Sequence, residues 1–137
     1  MKEIYIVFGR TESIKNEYDA DVDLINDCEK MNVFSAHETF YAAMVEFKKL
    51  IAKARRDFLK QPPLVIADEW EEAIKKADLF AEFHLEADDF VGQSDLIGWK
   101  YTCKNKSASW KMFWRAYVTF DIVLLPEIFI IKKELKS

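Results

Sequence analysis

The stretch Trp99-Lys100-Tyr101-Thr102-Cys103-Lys104-Asn105-Lys106-Ser107-Ala108-Ser109-Trp110-Lys111-Met112-Phe113-Trp114-Arg115 decides the fold. On its first limb Trp99, Tyr101 and Cys103 fall at alternate positions. On its second limb Trp110, Met112 and Trp114 do the same, with Lys111, Phe113 and Arg115 between them. Successive side chains of a strand point to opposite faces, so rings at a period of two mark two strands, each with one face turned to a core. The polar run Asn105 to Ser109 has the composition of a turn, which makes the pair a hairpin and the sheet antiparallel. The same rhythm continues through Ala116, Val118 and Phe120, with Tyr117, Thr119 and Asp121 opposite. Strands beyond about ten residues are uncommon, so a bend or bulge is expected before Pro126.

Working outward, Ala81, Phe83 and Leu85 alternate with Glu82, His84 and Glu86, the pattern of a half-exposed strand. A loop follows over Asp88 to Asp95, and beyond Pro126 the segment Glu127 to Lys133 reads as a closing strand. At the other end Ile4, Ile6 and Phe8 alternate with Tyr5 and Val7, so both faces are apolar and the strand is expected inside the sheet.

Between these lie the helices. Phe40, Met44, Phe47, Ile51, Ala54 and Phe58 recur at steps of four and three, one face of a helix over about residues 36–60. Ser35 with Glu38 reads as its capping box, and Pro62 and Pro63 end it. Asp68 with Glu71 reads as a second cap before Trp70, Ile74 and Ala77; acids open this segment and Lys75 and Lys76 close it, which suits the dipole of a helix over about residues 68–77. Residues 10–34 lack clean periodicity and read mostly as loop, with one short helix near Leu24 to Lys30. The expectation is one α+β domain over residues 1–137: a curved, mostly antiparallel sheet of about five strands with one long and one short helix packed on one face.

Charge is sorted into blocks. Residues 11–30 hold seven acids against Lys15 and Lys30, residues 48–60 hold six cations against Asp57, residues 67–89 hold nine acids against Lys75 and Lys76, and residues 96–120 hold five cations and no acid. A net charge of -4 conceals this alternation, which speaks to partners rather than fold. The first residues read as a strand, not a signal peptide, and the apolar run Ile122 to Ile131 is broken by Pro126 and Glu127 and too short to cross a bilayer. Cys28 and Cys103 stand in no metal or redox spacing, so a cytoplasmic protein with free thiols is the plain expectation, with one disulfide left open.

Few motifs carry chemistry. Asp19, Asp21 and Asp23 have the spacing of calcium-loop ligands, but Leu24 stands where that loop needs glycine and Lys30 where it needs glutamate. Glu82, His84 and Glu86 share one strand face and are weak metal candidates, better explained as a solvated face. No phosphate loop or catalytic spacing appears, so no cofactor is expected and a non-enzyme is favoured. Trp99, Trp110 and Trp114 suit a packed core, with a small-molecule pocket between sheet and long helix as the enzyme or carrier alternative.

The leading expectation is a non-catalytic interaction protein, an inhibitor or immunity or anti-defence factor. Its acidic residues Asp19, Asp21, Asp23, Asp27 and Glu29 would meet a basic, nucleic-acid-handling partner. The blocks also allow self-pairing as a homodimer. The alternative is a nucleotide or nucleic-acid binder using Lys100, Lys104, Lys111, Phe113, Arg115 and Tyr117, which alternate opposite the tryptophans and combine cations with rings. The opening Ile4-Tyr5-Ile6-Val7-Phe8-Gly9-Arg10-Thr11-Glu12-Ser13 resembles the openings of small phage-encoded accessory proteins, over one strand and without a functional motif.

Overall fold

A computed structural model describes residues 2–15, 31–62, 66–88, 94–115 and 123–135. Its elements run β1 (Lys2–Arg10), β2 (Ile14–Lys15), β3 (Asn32–His37), α1 (Phe40–Lys60), α2 (Asp68–Lys76), β4 (Phe83–Asp88), β5 (Ser94–Lys104), β6 (Ser107–Arg115), β7 (Val123–Leu124) and β8 (Glu127–Leu135). Among the described residues six strands form one antiparallel sheet in the order β3-β1-β8-β6-β5-β4, and β2 pairs with β7 as a separate ribbon. With two helices this is an α+β fold whose sheet stays open, β3 and β4 being its edges.

The expected internal strand is β1, flanked by β3 and β8. The sixth strand is β3, in a segment that the sequence assigned to loop and helix start. Its alternation is broken by a bulge: Ser35 pairs with Val7 and Val33 with Phe8, so Phe34 is left over between them. One extra residue shifts the period-two pattern and erases its signature. Ser35 is therefore no cap. Its hydroxyl lies 2.7 Å from His37 Nε2, and Glu38 pairs with the Lys2 ammonium at 2.8 Å, which holds the Glu38 carboxyl below its usual range.

The true cap of α1 is Thr39, whose Oγ1 accepts from the Ala42 N–H at 3.1 Å. Such a bond is worth about 1 kcal/mol. The helix stops before Pro62 as expected, with Gln61 already outside helical dihedrals. At α2 the cap is Ala67, not Asp68; its carbonyl accepts from the N–H groups of Trp70 and Glu71, both at 3.0 Å, while Asp68, Glu69 and Glu71 sit in the first turn.

Pairing registers assign the two sheet faces. Tyr5, Val7, Ile97, Trp99, Ala108, Trp110, Met112, Ile128 and Ile130 point inward and are buried with Ala43, Phe47, Leu50, Ile51, Ala54 and Phe58 of α1 and Ile74 of α2. Fully burying each large side chain contributes roughly 1.5–3 kcal/mol. Trp99 and Trp110 lie 5.9 Å apart, both closed to solvent, and the Trp99 indole donates to the Asp78 carbonyl. The two indoles thus pack in the core between sheet and helices.

The hairpin between β5 and β6 turns on two residues, Asn105 and Lys106, not on the whole run from Asn105 to Ser109. Their φ values of 53° and 59° are both positive, as the tight turn matching strand twist requires. Asparagine tolerates this region; lysine pays for it. Lys106→Gly is expected to raise stability by about 0.5–1 kcal/mol, read as a higher urea midpoint, and a lower midpoint would contradict the turn geometry.

Candidate functional site

Because side chains alternate, the face of β5 and β6 turned away from the helices carries Lys100, Thr102 and Lys104 on one strand and Ser107, Ser109, Lys111, Phe113 and Arg115 on the other. The candidate ligand-binding residues Lys100, Lys104, Lys111, Phe113 and Arg115 therefore share one face. Tyr117 lies outside the described residues.

Lys100 and Lys111 are direct cross-strand partners, and like charges in that position oppose each other. An acid is within register of Lys111: Glu127 of β8 pairs with it across the sheet. Its carboxylate turns the other way, to the buried Arg10 guanidinium at 2.9 Å. The Lys111 ammonium instead lies 5.3 Å from the centre of the Phe129 ring. Among the described residues Lys100, Lys104 and Lys111 enter no ion pair. Arg115 differs, since Glu86 stands 4.0 Å from its guanidinium.

The rings of this face are engaged by their neighbours. Phe129 stacks on Phe8 at 5.0 Å and 22°, and the Phe113 ring edge comes within 2.9 Å of where a Cβ on Gly98 would stand. Beside the hairpin turn a hollow of about 290 Å³ is walled by Thr102, Lys104, Ser107, Ser109, Phe129 and Ile131. Thr102 and Ser109 hydroxyls lie 2.8 Å apart across the strands, and Ser107 donates to the Lys104 carbonyl. Chemically the face offers cations and hydroxyls over an apolar floor. Phe129, Glu127 and Arg10 escaped the sequence reading, because only strand register brings them to the lysines.

Elsewhere the charge blocks partly cancel. Lys53 pairs with Asp57, and Lys75 with Glu71 and Glu72, which raises the Lys75 pKa chiefly through the Glu71 hydrogen bond. The proposed partner-binding acids Asp19, Asp21, Asp23, Asp27 and Glu29, with the calcium-like spacing, the short helix near Leu24 to Lys30 and Cys28, lie outside the described residues. His84 and Glu86 point to the outer face of edge strand β4, and Glu82 precedes it. Among the described residues no three histidine, cysteine or acidic groups converge as a metal site.

Cys103 is free and exposed. Next to it, burial near Phe47 and Phe80 pushes the Tyr101 phenol up to about 12, with the Cys103 hydrogen bond adding to the effect. No helix among the described residues is long and apolar enough to cross a membrane.

No protein-family model matches the chain, and comparison with curated proteins and with solved structures found no match.

Proposed function

We propose that this chain is a non-catalytic binding domain that takes a phosphate-bearing polymer, a single-stranded nucleic acid, on the outer face of β5 and β6. The observation that carries this reading is the opposed pair Lys100 and Lys111 with no acid partnering either among the described residues. An incoming row of phosphates relieves that repulsion and releases counterions, the usual source of sequence-independent affinity. Phe129, already stacked on Phe8 and approached by the Lys111 ammonium, favours contact with the phosphate chain over stacking on splayed bases. Weak preference among base sequences follows.

Fluorescence anisotropy with a labelled oligonucleotide tests this. With Lys100, Lys104 and Lys111 each meeting a phosphate, the logarithm of affinity should fall against the logarithm of salt with a slope of about -2. Lys100→Glu with Lys111→Glu should weaken binding by about a hundredfold or more. Affinity that ignores salt, or that survives this double reversal, would remove the face from the account.

The inhibitor reading, in which Asp19, Asp21, Asp23, Asp27 and Glu29 meet a basic protein surface, rests on charge pattern alone and ranks second. It predicts the opposite result: oligonucleotide ignored, and a basic partner lost when Asp19, Asp21 and Asp23 are reversed in charge.

A further inference from the structure

On the helix side of the molecule, away from the lysine face, a cleft of about 330 Å³ opens between α1 and α2. Its walls are Arg55, Arg56, Leu59, Lys60, Glu71 and Lys75. We infer that this cleft is a separate binding site for a compact phosphate group, such as a diphosphate or a phosphomonoester, held by Arg55 and Arg56.

Three features carry the inference. First, the Arg55 guanidinium is held in place, donating from one terminal nitrogen to the Ala77 carbonyl at 3.1 Å across the two helices. Its remaining donors are thereby set in a fixed fork, and a guanidinium oriented before binding loses less freedom when it grips two phosphate oxygens. Second, the acid in the cleft is already engaged: Glu71 lies 3.2 Å from Lys75, whose ammonium also approaches Glu72 at 3.7 Å. Arg56 and Lys60 form no ion pair among the described residues, so positive charge remains in excess at this spot.

Third, Leu59 and the carbon stems of the cations form an apolar wall. Such stems cover apolar surface while their charged heads stay at the mouth of the cleft, where a phosphate group would meet them. Cations near the ends of α1 and α2 also complement the helix dipoles, but a dipole asks only for charge. It requires neither a tethered guanidinium nor a hollow.

The test is calorimetric titration of the full chain carrying Lys100→Glu and Lys111→Glu, so that the sheet face cannot contribute. Pyrophosphate is the probe and sulfate the control for bare charge. One saturable site is expected, with pyrophosphate preferred over sulfate by about tenfold and Arg55→Lys losing about that much because a point charge cannot replace the fork. Arg56→Ala with Lys60→Ala, both exposed and outside the core, should abolish the heat while leaving the thermal unfolding curve in place. A phosphoserine peptide binding more tightly than pyrophosphate would assign the phosphate to a modified protein partner; the reverse order assigns it to a free metabolite. No saturable heat, equal response to sulfate, or binding that survives Arg56→Ala with Lys60→Ala overturns the site. Since oligonucleotide binding on the other face is measured independently, neither result depends on the other.

Discussion

Arg10→Ala is expected to lower stability by about 3–5 kcal/mol, a large share of the roughly 5–15 kcal/mol that holds an ordinary domain folded. Arg10 is 4% exposed, although it carries a full charge. Its Nε donates to the Leu125 carbonyl at 3.0 Å and a terminal nitrogen reaches Glu127 at 2.9 Å, so one side chain ties the end of β1 to the start of β8. Deleting it strands the Glu127 carboxylate, whose side chain is only 16% exposed, without its counter-charge.

The cost comes from breaking the pair rather than from the pair's net worth. Arg10→Met combined with Glu127→Leu should therefore recover most of the loss, because two apolar groups leave no buried charge. Urea unfolding followed by tryptophan fluorescence compares the variants, and equal stability of wild type and Arg10→Ala would refute this reading. The same pair bears on the candidate site. With Arg10 gone, the Glu127 carboxylate has Lys111 directly across the strand as its alternative partner, so any folded fraction should bind oligonucleotide more weakly than wild type.

Gly9→Ala is expected to cost about 3 kcal/mol or more, combining a strained backbone with overpacking. Gly9 has a φ of 138°, which side-chain-bearing residues rarely adopt. A Cβ there would collide with the Glu127 carbonyl oxygen and stand 2.9 Å from the Ile128 Cα. Both obstacles are backbone of β8, held in register along the whole of β1, so relief requires moving a central strand pair. Gly98→Ala is a related case: its Cβ would meet the Phe83 carbonyl and stand 2.8 Å from the His84 Cα, but β4 is an edge and can shift outward more cheaply. Thermal unfolding should rank Gly9→Ala below Gly98→Ala, and both below wild type. A Gly9→Ala protein melting at the wild-type temperature would show that β1 and β8 do not approach this closely.

Legibility varied with the range of the interaction that shaped each element. The stripe from Phe40 to Phe58 declared α1 because helical neighbours are three and four residues apart, and its start was misplaced only because Ser35 and Glu38 imitate a capping box while belonging to strand and surface ion pair. The alternation of Trp99, Tyr101, Trp110 and Met112 declared both strands and both faces. By contrast β3 was hidden by its bulge at Phe34. The candidate site was half legible: Lys100, Lys104, Lys111, Phe113 and Arg115 could be grouped from alternation, whereas the engagement of Arg115 by Glu86 and the close approach of the Phe113 ring to Gly98 depend on the neighbouring strand.

By itself the amino-acid order determined the two helices, the hairpin and which residues of β5 and β6 share a face, since periods of 3.6 and 2 are properties of a single segment. Tertiary structure alone decided the strand order, the sixth strand and which acid answers which base between strands. Arg10 and Glu127 are 117 positions apart, and their meeting leaves Lys111 without the carboxylate that register would offer it. Coulomb attraction falls with distance in space, and that distance is set by strand pairing that no local pattern encodes.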